Sequence, residues 1–278
     1  MKRLLLLIVL LIAFVARVEA QSEIRILSIG NSFSADIVEQ NLHELAKEQG
    51  TTLIIGHLYI GGCHLQKHLS NLQHNKPAYS YRKVSAAGKR TAHPKYTIAR
   101  ALADEQWDYI MLQQVSGLSG IYASYGRYLP ELLSTLRKET SPSTKFLLLQ
   151  PWAYQHDSAH QNFSLYDYNQ QKMFKAIVGT VKRVVSDKAY NFHALIPTGT
   201  AIQNARTTLG DKLTRDGFHL DKRLGRYIGA CAMCEVLVGR SVVGNAYRPS
   251  NVSAEEARAA QLAAHAAVVK PYKVTKIK

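Results

Sequence analysis

Cysteine is scarce in this chain of 278 residues, which has only Cys63, Cys231 and Cys234. An odd count excludes a fully paired disulfide framework. Cys231 and Cys234 have the C-x-x-C spacing, but their surroundings have helical periodicity, and no second such pair or nearby histidine pair completes a zinc site. We predict a buried pair of thiols here, with a disulfide as the open alternative. Cys63 is left without a partner.

Long apolar runs are absent after residue 20. Before it, Lys2 and Arg3 precede the apolar run Leu4–Val15, and Val18-Glu19-Ala20 ends in small residues. This pattern predicts a secretory signal peptide over residues 1–20, cut after Ala20. The alternative is a retained anchor, but the run is short for the ~20 residues of a membrane span. We expect an exported chain of residues 21–278, periplasmic or secreted, without a stable membrane anchor.

Acidic residues are few, with 20 Asp and Glu against 35 Lys and Arg, which gives a formal charge of +15. A positive charge of this size is typical of proteins that bind nucleic acids. The basic residues are spread along the chain, however, and are densest in Tyr81–Lys95 and Lys270–Lys278. No nucleic-acid-binding motif accompanies them. We predict a solvated basic face or a surface for acidic glycans, and no nucleic-acid partner.

Internal repeats and low-complexity segments are absent too, and short apolar runs alternate with helical patterns. After a first strand that opens at Ile24 and stops at Gly30, the predicted strands are Thr52–Ile60, Trp107–Leu112, Lys145–Gln150 and Phe192–Pro197. The predicted helices are Asp36–Gln49, Cys63–Leu72, Tyr96–Glu105, Tyr125–Glu139, Leu165–Ser186, 198–206, 225–237 and 252–269, and 79–90 is a predicted β-hairpin. The alternation predicts one α/β domain with a parallel, doubly wound sheet in three layers.

A serine lies in the turn between the first strand and the first helix, in the segment Gly30-Asn31-Ser32-Phe33-Ser34. The first turn of a helix has free backbone N–H groups, which suit a nucleophile whose reaction develops an oxyanion. The alternative is that Ser32 or Ser34 only caps the helix.

Other candidates follow strand ends, and therefore lie at the same predicted edge of the sheet. Gly61-Gly62 ends the second strand, where a glycine lets the backbone approach a ligand. Gln113 and Gln114 end the third. Farther on, Asp216 precedes His219 by three residues, a spacing that lets the carboxylate hold the imidazole so that His219 acts as a general base toward Ser32. A surface loop is the alternative for Asp216 and His219.

These segments resemble the conserved blocks of SGNH/GDSL-type hydrolases. Gly30-Asn31-Ser32-Phe33 looks like the Gly-Asp-Ser-Leu block, Asp216-x-x-His219 looks like the last block, and Gly62 falls where the second-block glycine should lie. The variant Gly-Asn-Ser-Phe-Ser is similar to a bacterial subfamily common among exported proteins of gut glycan degraders.

The resemblance implies a three-layer α/β/α sandwich with a mainly parallel five-stranded sheet, the flavodoxin-like SGNH hydrolase fold, over residues 21–278. It implies a Ser32 nucleophile, a His219 base oriented by Asp216, and an oxyanion hole of the Ser32 and Gly62 N–H groups. The superfamily's third donor, an Asn in a Gly-x-Asn block, is missing here. Gln113 or Gln114 stands at the corresponding strand end, and Gln113 is slightly preferred.

We therefore predict an exported serine esterase that removes an ester, O-acetyl above all, from a carbohydrate, without metal or cofactor. Asn31, Trp152 and Tyr154 are predicted substrate contacts. The aromatic residues Tyr79 and Tyr81 are further candidates for stacking on sugars, with core or rim positions as their alternative. The alternative function is a catalytically inactive glycan-binding protein on the same fold. The oligomeric state stays open.

Overall fold

A computed structural model of the chain describes residues 22–278. The signal peptide predicted for residues 1–20 lies outside the described residues. Within residues 22–278, no helix has both the length and the apolar character needed to cross a membrane.

The described residues form a seven-stranded sheet with helices on both faces. Its strands are β1 (Ser22–Gly30), β2 (Thr51–Tyr59), β3 (Tyr79–Val84), β4 (Arg90–Tyr96), β5 (Tyr109–Leu112), β6 (Lys145–Leu149) and β7 (Ala194–Ile196). They lie in the order β4-β3-β2-β1-β5-β6-β7. β2, β1, β5, β6 and β7 are parallel, and β3 and β4 pair antiparallel at one edge. The parallel part has the order of flavodoxin-like folds, in which ligands bind at the carboxyl ends of the strands.

The helices form two packed groups. The helices are α1 (Ser32–Val38), α2 (Leu42–Glu48), α3 (Leu65–Gln73), α4 (Ile98–Leu102), α5 (Ala123–Gly126), α6 (Leu129–Lys138), α7 (Gln170–Ser186), α8 (Thr198–Leu209), α9 (Leu224–Val238) and α10 (Ala254–Val269). α9 contacts α1, α2, α8 and α10, whereas α3 contacts α4 and α6. The predicted α/β class and mainly parallel sheet are confirmed, with seven strands in place of five.

The predicted hairpin joins the main sheet and is longer than expected. Its second strand, β4, runs to Tyr96, where the sequence predicted the start of a helix. Residues of β4 are almost all exposed, and Pro94 lies within it. Both features fit an edge strand, where proline is tolerated and alternation of apolar residues is lost.

Two predicted helices are interrupted. The helix expected over Asp36–Gln49 is divided into α1 and α2, with Asn41 at a left-handed φ of 67° between them. The helix expected over Tyr125–Glu139 is divided into α5 and α6. In α6, Pro130 lies in the first turn, where its missing N–H costs nothing.

Candidate active site

Ser32 is the first residue of α1, directly after the central strand β1. Asn31 caps this helix with an extended backbone, and its side-chain oxygen accepts a 3.0 Å hydrogen bond from Phe33 N–H. The cap turns the chain sharply at the carboxyl edge of the sheet. It therefore places the Ser32 hydroxyl at this edge.

The loop that carries His219 meets Ser32 there. His219 Nε2 lies 2.8 Å from Ser32 Oγ, and His219 Nδ1 lies 2.6 Å from Asp216 Oδ2. The other oxygen of Asp216 accepts hydrogen bonds from the backbone N–H groups of His219 at 2.7 Å and Phe218 at 3.2 Å. Two distant segments of the chain thus supply three side chains that form one continuous line of hydrogen bonds.

The charge of Asp216 is stabilised within this loop. Partial burial acts to raise the pKa of its carboxyl, but the hydrogen bonds from the His219 ring and from two backbone N–H groups outweigh burial and hold the pKa below its usual range. An ionised Asp216 accepts the Nδ1 proton of His219. Nε2 is then left as the acceptor that faces the Ser32 hydroxyl.

A buried carboxylate on α1 bonds the loop that carries His219. Asp36, which is 1% exposed, accepts a 2.8 Å hydrogen bond from Leu220 N–H, the residue after His219. It also pairs with Arg226 at 2.7 Å and Arg215 at 3.1 Å. Burial raises the pKa of Asp36, and the two guanidinium groups act in the opposite direction. Asp36 therefore ties the helix of Ser32 to the loop of His219.

Gly62 lies across the opening from His219, in the turn that follows β2. Its φ of 63° is left-handed, which favours glycine. The Asn31 side chain reaches this turn, because its Nδ2 donates a 2.9 Å hydrogen bond to the Cys63 carbonyl. Asn31 thus joins the Ser32 turn to the Gly62 turn.

A pocket of about 230 Å³ opens between these turns. Its lining includes Asn31, Ser32, Tyr59, Gly62, Val115, His160, Phe218 and His219. None of its lining residues is an Asp, Glu, Lys or Arg. Among residues 22–278, no group of three His, Cys, Asp or Glu side chains is arranged to hold a metal ion.

The two glutamines predicted for the oxyanion hole lie behind the pocket lining. Gln113 Nε2 donates to Asn31 Oδ1 at 2.5 Å, so this amide orients Asn31. Gln114 Nε2 donates to the backbone oxygen of Ser124 at 3.0 Å and to its hydroxyl. Gln114 Oε1 accepts from Leu65 N–H and Val115 N–H. In this arrangement neither side chain is directed at the space beside Ser32.

The prediction that Trp152 and Tyr154 contact substrate is wrong, since both side chains are fully buried. Trp152 stacks on Phe33 with ring centroids 4.1 Å apart, and its Nε1 donates to the Phe218 carbonyl at 2.7 Å. The Tyr154 hydroxyl lies 2.8 Å from Ser116 Oγ. These aromatic rings support the Ser32 and His219 loops from inside.

Tyr79 and Tyr81 are also core residues, each 1% exposed. They are part of the β3 strand, which is inside the sheet and not in an edge loop. Phe33, Tyr59 and Phe218 line the pocket, and of these Tyr59 and Phe218 are partly exposed. The aromatic residues at this pocket are therefore not those that the sequence indicated.

The three cysteines are buried free thiols. Cys231 and Cys234 lie in α9, as the predicted thiol pair requires. Burial raises the pKa of the Cys234 thiol to about 12, which makes it a poor nucleophile.

The sequence patterns did not indicate Asp36 or a second network of polar residues around His57. His57 is polar and 1% exposed within the buried strand β2. A histidine in an otherwise apolar run is the one local signal that pointed to this network. The partners of Asp36 are about 180 residues away in the chain and gave no local signal.

The fold is that of an SGNH hydrolase. A protein from Slackia heliotrinireducens described as a candidate SGNH hydrolase aligns with a TM-score of 0.51 and 19% identity, over 77% of this chain and 98% of that one. No functionally curated protein matches.

Within that fold, the chain belongs to the DUF4886 family, a domain of unknown function, whose profile matches residues 25–267. The crystal structure of a DUF4886 family protein from Bacteroides uniformis is similar throughout. It aligns with a TM-score of 0.90 and 48% identity, over 92% of this chain and 100% of that one.

Proposed function

We propose that the protein is a serine ester hydrolase with Ser32 as nucleophile, His219 as general base and Asp216 as the residue that orients His219. The observation that carries this proposal is the line of hydrogen bonds from Ser32 Oγ through the His219 ring to Asp216, at 2.8 and 2.6 Å. A serine hydroxyl is a weak nucleophile until an adjacent base takes its proton. Nε2 of His219 is placed for that transfer.

The reaction proceeds in two halves. Ser32 Oγ attacks the ester carbonyl carbon while its proton moves to His219 Nε2, and the carbonyl oxygen becomes an oxyanion. His219 then gives this proton to the leaving alcohol, and an acyl-Ser32 ester remains. A water molecule, deprotonated by the same nitrogen, attacks the acyl group and releases the carboxylic acid and free Ser32.

We propose that the backbone N–H groups of Ser32 and Gly62 stabilise the oxyanion. Both residues line the pocket. Asn31 couples them, because it caps the helix of Ser32 and bonds the Cys63 carbonyl next to Gly62. Removing one such donor in serine hydrolases costs roughly 10²–10³-fold in kcat.

The acyl group that fits is short, and we propose acetyl. The pocket of about 230 Å³ is smaller than the roughly 300–1,000 Å³ of sites for drug-sized ligands, and its lining has no charged Asp, Glu, Lys or Arg. Tyr59 and Phe218 offer aromatic surface at this pocket for the rest of the substrate. We therefore propose an O-acetylated carbohydrate as the substrate class, and that the Gly-Asn-Ser-Phe-Ser turn marks a subfamily with this activity.

Release of p-nitrophenol from p-nitrophenyl acetate tests this proposal. Residues 21–278 should hydrolyse the acetyl ester faster than the butyryl and octanoyl esters. Ser32→Ala and His219→Ala should each reduce kcat by at least 10³-fold, because neither variant can form or activate the nucleophile. Equal rates for the native protein and Ser32→Ala would instead favour a non-catalytic glycan-binding protein. The glycan-binding alternative rests on one observation, which is that the Gln113 amide bonds Asn31. This leaves only two backbone N–H groups as proposed donors to the oxyanion.

We further propose that the protein is exported and acts in the periplasm or outside the cell, without nucleic-acid partner or membrane anchor. The sequence of residues 1–20 supports this. Mass spectrometry of the protein from a bacterial periplasmic fraction should find an N-terminus at Gln21. A chain that retains Met1 would refute export by signal cleavage.

A further inference from the structure

A second chain of serine, histidine and carboxylate lies directly behind Ser32. Ser34 Oγ lies 2.9 Å from His57 Nε2, and His57 Nδ1 lies 2.7 Å from Glu39 Oε1. Arg82 donates to both oxygens of Glu39, at 2.8 and 3.0 Å. The order of atoms is that of a catalytic triad, and none of these residues has a part in the chemistry proposed above.

The serine of this second chain has no access for a substrate, although Glu39 and Arg82 at its other end line a pocket. Ser34 is 0% exposed and His57 is 1% exposed. The Ser34 oxygen is surrounded by protein, since it also lies 3.1 Å from Asn31 N and 2.9 Å from Asn31 O. This Ser34–His57–Glu39 chain of side chains therefore acts on the protein itself, by bonding the backbone of Asn31.

The proton positions along this chain follow from its partners. Burial lowers the pKa of His57, and the hydrogen bond to Glu39 offsets only part of that effect, so the ring is neutral. A neutral ring donates from Nδ1 to the Glu39 carboxylate and accepts at Nε2. The Asn31 carbonyl already accepts from Ala35 N–H at 3.1 Å. The single Ser34 proton has two acceptors at 2.9 Å, His57 Nε2 and the Asn31 carbonyl, and is shared between them, while Asn31 N–H donates to Ser34 Oγ.

One side-chain oxygen consequently holds both peptide groups that flank the Asn31 Cα. Asn31 N belongs to the peptide that follows Gly30, and Asn31 O belongs to the same planar group as Ser32 N–H. The close approach needs a glycine at position 30, because a Cβ there would overlap Ser34 Oγ. The C=O and N–H of a trans peptide point in opposite directions within its plane, so fixing the direction of the Asn31 carbonyl also fixes the direction of the Ser32 N–H.

We propose that Ser34, His57 and Glu39 are positioning residues that aim the Ser32 N–H into the oxyanion hole. The inference rests on the proposed function, because it assigns a task to that N–H. Arg82 extends the chain to the β3–β4 hairpin and holds Glu39 in place. Without this chain the Ser32 turn keeps the cap made by the Asn31 side chain, but it loses the Ser34 half of the capping box and with it the fixed orientation of the peptide plane.

Steady-state kinetics with p-nitrophenyl acetate test the inference through Ser34→Ala. Its matched control is Ser28→Ala, which also removes a buried hydroxyl. The Ser28 hydroxyl has no hydrogen-bond partner among the described residues, and Ser28 is the residue of β1 that pairs with His57 in the sheet. We expect Ser34→Ala to lower kcat by about 10- to 100-fold with KM within threefold, since displacement of a catalytic group by about 1 Å can cost 10²-fold. Ser28→Ala should stay within twofold of the native kcat.

A second pair of variants separates positioning from folding. His57→Gln keeps an amide oxygen that can accept from Ser34, whereas His57→Leu removes the acceptor. We expect His57→Gln to retain more of the native kcat than His57→Leu, with the folded fraction of each checked by circular dichroism. If His57→Leu does not fold, Ser34→Ala alone decides.

The outcomes are distinct. Native activity no greater than that of Ser32→Ala refutes the proposed function. Clear native activity, with kcat of Ser34→Ala within twofold of the Ser28→Ala control, overturns the positioning chain and leaves the esterase intact. A rise in KM at unchanged kcat also overturns it, because misdirection of an oxyanion donor acts on the transition state.

Discussion

Replacing Asp36 by asparagine should both destabilise the protein and slow it. The carboxylate is 1% exposed and serves Leu220 N–H, Arg215 and Arg226 together. Asparagine keeps the shape but removes the charge, and both guanidinium groups lose their counter-ion. Breaking a buried ion pair costs about 3–5 kcal/mol.

The expected cost lies near the lower end of that range. The Arg226 side chain is 12% exposed, but the Arg215 side chain is 34% exposed and is partly solvated after the change. We expect a loss of about 3 kcal/mol in the free energy of unfolding. For a domain of this size, that corresponds to a fall in Tm of about 6–12 °C.

Denaturant unfolding followed by tryptophan fluorescence measures the loss. The control is Glu256→Gln, which breaks the Arg223–Glu256 pair, whose side chains are 40% and 30% exposed. A surface pair of this kind contributes up to about 1 kcal/mol. A cost for Asp36→Asn no larger than that of the control would refute the reasoning. Assayed well below its Tm, Asp36→Asn should also have a lower kcat, because Leu220 adjoins His219.

Three further predictions concern single residues. His68 is buried with its Nε2 unpartnered among the described residues, and burial lowers its pKa to about 3. The unfolded state binds a proton at His68 at a higher pH than the native state does, so the free energy of unfolding should fall as the pH falls from about 6.5 toward 3. When unfolding is measured as a function of pH, His68→Gln should reduce the slope of this fall by up to about 1.4 kcal/mol per pH unit, and an unchanged slope contradicts this. Trp152→Ala should cost about 3–5 kcal/mol of stability in denaturant unfolding, whereas a rise in KM at native stability would restore its predicted substrate contact. Gly62 and Gly239 have similar left-handed φ values of 63° and 73°, with open space around an added Cβ. Gly62→Ala and Gly239→Ala should each therefore lower the free energy of unfolding by about 1–2 kcal/mol, but only Gly62→Ala should lower kcat.

The sheet was predictable from sequence where strands are buried on both faces. Apolar runs such as Lys145–Gln150 stand out against helical segments, so all five parallel strands were located within a few residues. Most of the edge strand β4 was missed because all of its residues except Tyr96 are exposed, and its sequence carries no periodicity. The division between α1 and α2 was missed because it occurs at Asn41, whose left-handed φ of 67° interrupts the helix without changing the apolar pattern of the sequence.

The candidate site was predictable where its residues share a local motif. Ser32 follows a strand, and Asp216 and His219 are three residues apart, so their spacing carries a signal. Gln113, by contrast, lies at the expected strand end, but its amide turns to Asn31. Side-chain direction within a buried network is set by partners from several elements, which a linear sequence does not show. The burial of Trp152 was not predictable for the same reason, because it depends on the stack with Phe33.

Mass spectrometry after treatment with a fluorophosphonate tests the central claim most directly. The reagent phosphonylates a serine only when a neighbouring base activates it. We expect a single adduct on the peptide that contains Ser32, and none in Ser32→Ala or His219→Ala. No adduct on the native protein, or an adduct that persists in Ser32→Ala, would contradict the assignment of Ser32 and His219.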